Sequence, residues 1–547
     1  MRRSEIFLAL GIALLVALGL HSGRAQVPAS YRIAGTVVSA ADNHPIQRAS
    51  IEILPSGQRR LVQSTTSDEY GRFAFTGVAA GTYVLQGKAP GYLATSYDEH
   101  ERFNTAILTG AGVDTESLVL KLRPEGSIAG AVLDESGDPV LAGNVHLFRQ
   151  SHASGDSRTV SAGGASTDDL GHFEFSHLLP GTYFLAVTAH PWYAVHPGPT
   201  QPQQPFGFTD SVDPVLDVAY PTTFYPGTPD PARASPINLH GGDTYDVQLQ
   251  LQPVPALAIT LPLTPHGPGQ PNTFPMLRTS IFGQTQVAMG MEVRQTPTEA
   301  VFVGLAPGDY FVSQASVPFN DISGATAIHL TDRASTVAAT SPSGVAHVHV
   351  LLQSAHGAAL PPSLRVTLRH RGGDDAIRQF ADVKKNEVTF DASPGDYFFE
   401  VNDVQRPVSI RQVVSSDQVL PSNNIHLAAD TNPSFTLTVV PGVHTLKGVT
   451  VKDGKPFAGV FILLVPTAEV HEIRSYFLQQ SDLDGSFDIA GLAPGDYTLF
   501  AIDGGWDLDW HKDAVLSRYL SAAVSVQVPD TPDKVQTLSE PLSVQSR

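Results

Sequence analysis

A short pattern returns five times along the 547-residue chain, and its spacing leaves few architectures open. Gly71-Arg72-Phe73-Ala74-Phe75 is followed by Ala80-Gly81-Thr82-Tyr83. The pair recurs as Gly171-His172-Phe173-Glu174-Phe175 with Pro180-Gly181-Thr182-Tyr183, and as Gly485-Ser486-Phe487-Asp488-Ile489 with Pro494-Gly495-Asp496-Tyr497. Phe302 with Pro307-Gly308-Asp309-Tyr310 and Phe390 with Pro394-Gly395-Asp396-Tyr397 keep only the second half. The glycines at 81, 181, 308, 395 and 495 stand 100, 127, 87 and 100 residues apart, a domain's length rather than a solenoid unit's. Phe-x-Phe alternates at period two, so both rings fall on one face of a strand and toward a core. Pro-Gly carries the chemistry of a type II turn, which places a positive φ on the glycine. Tyr then opens the next strand with a hydroxyl that requires a partner. Each copy reads as a strand, a tight turn and an antiparallel strand.

Upstream, Ile33-Ala34-Gly35-Thr36-Val37, Ile128-Ala129-Gly130-Ala131-Val132 and Leu446-Lys447-Gly448-Val449-Thr450 read as opening strands. Ser136-Gly137-Asp138-Pro139 and Asp453-Gly454-Lys455-Pro456 supply turns after two of them. Closing strands read as Ser117–Leu122, Val247–Leu251, His347–Leu351 and Phe435–Val439, with Ala523–Val528 closing the last copy. Helical periodicity is confined to about Lys512–Ala522. The class is all-β: a tandem array of about five Greek-key β-sandwich domains. The boundaries expected are 31–123, 124–253 with a Pro- and aromatic-rich insertion at 190–236, 254–353, 354–441 and 442–547. The linkers, around Pro124, Pro253–Pro255, Ser354 and Pro441, are short, which favours a semi-rigid rod.

The order of opening strand, turn, Pro, strand, (S/T)-D-x-x-G-x-F-x-F and P-G-x-Y resembles the carboxypeptidase regulatory-like domains of the transthyretin-like, Cna-B-like group. These are often classed as carbohydrate-binding-like folds. Thr66-Ser67-Asp68-Glu69-Tyr70-Gly71, Thr167-Asp168-Asp169-Leu170-Gly171 and Ser481-Asp482-Leu483-Asp484-Gly485 carry the central motif. The match is good over 31–122, 126–252 and 443–545 and weak over 254–353 and 355–440, which lack the Asp-x-x-Gly element. The resemblance implies seven-stranded Greek-key sandwiches without catalytic apparatus, in arrays like those of exported bacterial proteins. It also raises Lys–Asn isopeptide crosslinks. The first two opening strands have no Lys, and Ala523–Val528 has no Asn to meet Lys447.

Met1-Arg2-Arg3, the apolar run Leu8–Leu20 and the small residues Gly23 and Ala25 form the layout of a secretory signal peptide over residues 1–25. No later stretch is apolar enough to span a bilayer as a helix, so the expected location is periplasm, outer cell surface or medium. The chain has no Cys, which removes disulfides, thiol nucleophiles and Cys-ligated metals. A net charge of −19 argues against nucleic acid and anionic lipid as partners.

The search for chemistry finds no His-x-x-Glu zinc pair, no Gly-x-Ser-x-Gly elbow and no phosphate loop. Neither enzyme activity nor a cofactor or metal is expected. Asp482-x-Asp484-Gly485 lacks the distal ligands of a calcium loop and reads as an Asx turn. His347 and His349 share a strand face without a third ligand in view. The aromatic loops remain. Segment 190–236 holds 11 Pro and seven aromatics, and the fifth copy carries Gly504-Gly505-Trp506-Asp507-Leu508-Asp509-Trp510-His511. Trp192, Tyr193, Tyr225, Trp506, Asp507 and Trp510 are the candidate ligand residues: rings for stacking, an acid for hydroxyls. The alternative is that these loops fold over the sandwich ends and bury their own rings. The expected function is a non-catalytic scaffold or adhesion module, its partner a polysaccharide or another cell-envelope protein. Carbohydrate binding through the aromatic loops is the second reading.

Overall fold

The computed structural model describes residues 30–547 except 59, 111, 197–212, 264–273, 290, 316–324, 332–334, 337–345, 356, 358, 371–377, 393, 404–407, 421–422, 442–443, 468–475, 493–494 and 530–534. The expected signal peptide lies outside the described residues, as do Phe206, Phe208 and Pro494.

The chain is a tandem array of five β-sandwiches, and one pairing scheme repeats in all of them. The opening strand lies between the Phe-x-Phe strand, antiparallel, and the closing strand, parallel. In the first sandwich Tyr31–Ser39 pairs with Arg72–Val78 on one side and Leu118–Leu122 on the other. Gly126–Leu133 does the same with His172–Leu178 and Thr244–Gln250. Leu257–Pro262, Ala346–Ser354 and His444–Lys452 repeat it in the third, fourth and fifth. The second sheet of the first sandwich centres on Ser50–Pro55 paired with Gly81–Ala89. The resemblance implied seven strands; the first two sandwiches each pack a three-stranded sheet on a five-stranded one. Each sandwich has its own apolar interior. Phe73 and Phe75 show what the repeat supplies: both rings are buried, edge to face at 6.1 Å, each contributing about 1.5–3 kcal/mol by burial.

The hinge of the repeat differs from the hairpin expected. Arg72–Val78 and Gly81–Ala89 belong to opposite sheets, so the segment between them is a corner crossing the sandwich. Its Gly is also not the left-handed residue. Gly308, Gly395 and Gly495 lie close to extended, with φ of 159°, 155° and 156°. The left-handed φ falls four residues earlier, on Gly77, His177, Gly304 and Gly491, at 58–89°. There a β-bulge shifts the register against the opening strand. The tyrosine closes the corner. Tyr83, Tyr183 and Tyr310 donate their hydroxyls to the carbonyls of Ala79, Leu179 and Ala306, four residues upstream, at 2.7–3.1 Å.

Two strand assignments are corrected. Ala346–Ser354, expected to close the third sandwich, opens the fourth. The third closes on Ser335–Thr336, beside Ile259 and Thr260, so its boundary with the fourth falls before Ala346. The alternation of His347-Val348-His349-Val350 is the same for an opening or a closing strand, and only the pairing distinguishes them. In the fifth, Val524–Val528 pairs with Gly495–Asp503 in the other sheet. The parallel partners of the opening strand there are Val535–Thr537 and Leu542–Ser543. The helical segment forms as a turn of α-helix at Asp513–Leu516 continued by a 3-10 stretch to Ala522.

Neighbouring sandwiches are tied at their ends. Phe282 of the third sits among Phe148, Phe184 and Phe224 of the second, at ring distances of 5.0–5.3 Å. The expected rod is not formed: the fifth sandwich lies against the first and the second, and the array closes on itself.

Candidate interdomain site

The site grows out of the Ser/Thr-Asp-x-x-Gly turn, which the first two sandwiches use identically. Ser67 Oγ accepts from the Ala49 amide at 2.9 Å and donates to the Ile46 carbonyl at 2.7 Å. Asp68 Oδ1 accepts from the amides of Tyr70 and Arg72 at 2.9 and 2.8 Å. Asp168 takes Leu170 and His172 in the same way. The glycine that ends the turn is left-handed in all three good copies, with φ of 73°, 74° and 77° at Gly71, Gly171 and Gly485. A Cβ on Gly71 would stand 2.5 Å from the Val37 carbonyl oxygen, so no other residue fits without a backbone shift.

In the fifth sandwich the turn is kept and its carboxylate is redirected. Ser481 Oγ still accepts from Val460 and donates to Phe457. Asp484 takes over the local capping, accepting from Ser486 at 2.9 Å. Asp482 instead accepts from the Ala106 amide of the first sandwich at 3.2 Å, while the Leu483 amide donates to the Ala106 carbonyl at 3.0 Å. Leu483 packs on the first sandwich's interior. Gln480, buried, donates to the Asp98 carbonyl at 2.6 Å and to Thr105 Oγ1 at 2.8 Å, and Thr105 donates to Asp98 Oδ2 at 2.8 Å. Burial, with Asp484 and Asp488 adding repulsion against the pull of the Ala106 amide, pushes the Asp482 carboxyl up to about 7.

The second half of the seam is aromatic. Trp506 stacks on His100 of the first sandwich with centroids 4.9 Å apart and planes 5° from parallel. Trp510 is 1% exposed and covers Gly155 of the second sandwich so closely that a Cβ there would lie 2.5 Å from the indole. Around it the His511 amide donates to the Gly155 carbonyl at 3.0 Å and the Ser157 amide to Asp509 Oδ1 at 3.1 Å. His152 faces Asp509 at 3.9 Å and His511 faces Asp156 at 3.3 Å, each pair crossing the seam. Where the three sandwiches meet, a cavity of about 210 Å³ remains, lined among others by Glu101, Phe103, His152, Trp506 and Trp510.

Of the candidate ligand residues, the structure thus brings together Trp506 and Trp510, and uses both in packing between domains. Asp507 is exposed beside them and pairs with Arg547 at 3.6 Å. Trp192 lies elsewhere, 85% exposed, with the Tyr193 ring perpendicular to it at 5.8 Å. The Tyr193 and Tyr220 hydroxyls both donate to Glu135. Burial and then the Glu135 carboxylate push the Tyr193 phenol up to about 12. Tyr225 is half-buried on the second interior. His347 and His349 each face a carboxylate, Asp391 at 2.6 Å and Glu387 at 3.7 Å. Among the described residues no three His, Cys, Asp or Glu side chains gather as metal ligands would. Sequence reasoning missed His100, Phe103, His152 and Gly155. One signal was present: Leu483 is apolar where the other turns have Glu69 and Asp169.

Residues 32–111 match the carboxypeptidase regulatory-like domain family. No curated protein matches the sequence. Solved structures similar to the chain include the Bacillus anthracis TIE protein, at 8% identity over 94% of this chain and 74% of that one, with a TM-score of 0.17. Another is GBS52, the minor pilin of Streptococcus agalactiae, at 14% identity over 44% of this chain and 100% of that one, TM-score 0.19. A third is the shaft pilin SpaA from Lactobacillus rhamnosus GG, at 9% identity over 41% and 99%, TM-score 0.17.

Proposed function

We propose that this chain, whose first sandwich is a carboxypeptidase regulatory-like domain, is a non-catalytic structural and interaction module that works outside the cytoplasm. The observation that supports this reading is the use made of its most chemical-looking residues. The Asp482 turn and the tryptophans of the fifth sandwich are spent on holding sandwiches together. Export rests on the Leu8–Leu20 run and its flanks. Among the described residues no helix is long and apolar enough to cross a membrane. Fractionating cells and blotting for the chain tests location: recovery in the cytoplasm with residues 1–25 intact overturns export. Turnover of any substrate in a broad hydrolase panel that co-purifies with the homogeneous chain overturns the non-catalytic part.

A second reading is carbohydrate binding at Trp192. An indole 85% exposed beside a perpendicular Tyr193 offers the open apolar face on which a sugar ring stacks. Saturable change in tryptophan emission with a polysaccharide, abolished by Trp192→Ala, supports it; unchanged emission removes it.

A further inference from the structure

We propose that the contact of the fifth sandwich with the first and second is a proton-dependent clasp, closed in acid and loosened as pH rises through neutrality. Three crossings of the seam carry titratable groups: Asp482 at Ala106, His152 at Asp509 and His511 at Asp156. Asp482 is inserted into the first sandwich, where among the described residues it accepts from that side only the Ala106 amide. The charged groups around it are acidic: Asp484 and Asp488 from its own sandwich, and Asp98 across the seam, bridged through Gln480 and Thr105. His100 reaches the same Gln480 through Nδ1 at 3.4 Å. An ionised Asp482 therefore gains no cation on closing and loses its water; a protonated one closes without that cost.

At the second sandwich the arrangement is complementary. His152 faces Asp509, and His511 faces Asp156, so each imidazole meets a carboxylate of the opposite domain. Arg158 meets Asp156 at 3.0 Å, and Lys512 meets Asp509 at 2.6 Å and holds that carboxyl below the usual carboxylate range. Arg149 meets Glu101 at 3.5 Å between the first and second sandwiches. Protonating His152 and His511 converts two polar contacts into cross-seam ion pairs. Closing thus favours a protonated Asp482 at one half and sets imidazoles against carboxylates at the other.

The sign is fixed by these placements. Asp482 binds its proton more tightly when buried in the seam, so closure weakens as pH rises from the ordinary carboxylate range to about 7, and levels off above that.

The test uses the full chain carrying Trp192→Phe, so that Trp506 and Trp510 alone report the seam. Gly155→Leu, which drives a side chain into Trp510, supplies the open reference. Tryptophan emission and solution scattering are followed from pH 5 to 8.5. The expected result is a red shift and a larger radius of gyration toward alkaline pH, approaching the Gly155→Leu values. Asp482→Asn, which keeps the acceptor for Ala106 without the charge, is expected to hold the closed signal at least one pH unit further. His152→Gln with His511→Gln is expected to remove the acid-side gain. Circular dichroism at each pH separates opening from unfolding. Emission and radius constant across the range, or a transition identical in Asp482→Asn and in the double His variant, overturns the proposal.

Discussion

The turn at Asp68 and the turn at Asp482 share a sequence pattern and a backbone, and they do different work. In the first sandwich the carboxylate faces its own amides and the turn is self-sufficient. In the fifth, a second acid at Asp484 takes the local amide and an apolar Leu483 replaces the solvated acid at that position. Asp482 is thereby released to cross to another domain. The comparison teaches that a motif can be kept for its fold and altered at two of five positions to become a contact surface. What is retained, Ser481 and Gly485, is what the backbone needs; what changes is what the backbone leaves free.

That contrast can be broken at several points. The largest effect expected is on pH dependence. Burial pushes the Asp482 carboxyl up to about 7, so the closed seam weakens between acid and neutral pH. Asp482→Asn is expected to flatten that part of the profile, whereas Asp68→Asn leaves it unchanged; tryptophan emission against pH reads both. Next come Gly71→Ala and Gly485→Ala, where left-handed φ costs about 1–3 kcal/mol before the clash with Val37 or Thr450 is added. Both are expected to lower the melting of their own sandwich, since the glycine serves the turn in either use. Calorimetry of the full chain resolves them. Asp68→Ala removes two amide acceptor bonds and is expected to cost about 1–2 kcal/mol within the first sandwich, with the seam signal intact. The smallest change is Tyr183→Phe, which loses one bond to Leu179 and about 0.5–1.5 kcal/mol, in a denaturant titration.

Much of the architecture was legible because it is written in short-range pattern. Phe173 and Phe175 alternate into a core, Gly171 ends a turn, and Tyr183 needs an acceptor; each reads from its neighbours alone. The errors arose where the decision is not local. Pro180-Gly181 looks like a hairpin, but whether the next strand pairs with the last or crosses to the opposite sheet depends on the bulge at His177. Val348 and Val350 alternate equally well in an opening or a closing strand. The seam was least legible of all. Gly155 is a plain loop glycine until Trp510, 355 positions on, is laid over it. The aromatic richness of the fifth sandwich was visible; that its rings face another part of the same chain was not. Trp192, in the second, is the one tryptophan left facing solvent.

The parallel pairing of first and last strand has a mechanical meaning. In the first sandwich Gly35 to Ser39 lies register by register beside Leu118 to Leu122, and each interior sandwich is entered along one such strand and left along the other. Tension between the two ends slides these neighbours past each other, loading the whole ladder of hydrogen bonds in shear at once instead of peeling it rung by rung. A chain so connected resists stretching with every domain it contains, and would yield first where, among the described residues, that ladder is shortest, at the two residue pairs joining Ile259–Thr260 to Ser335–Thr336.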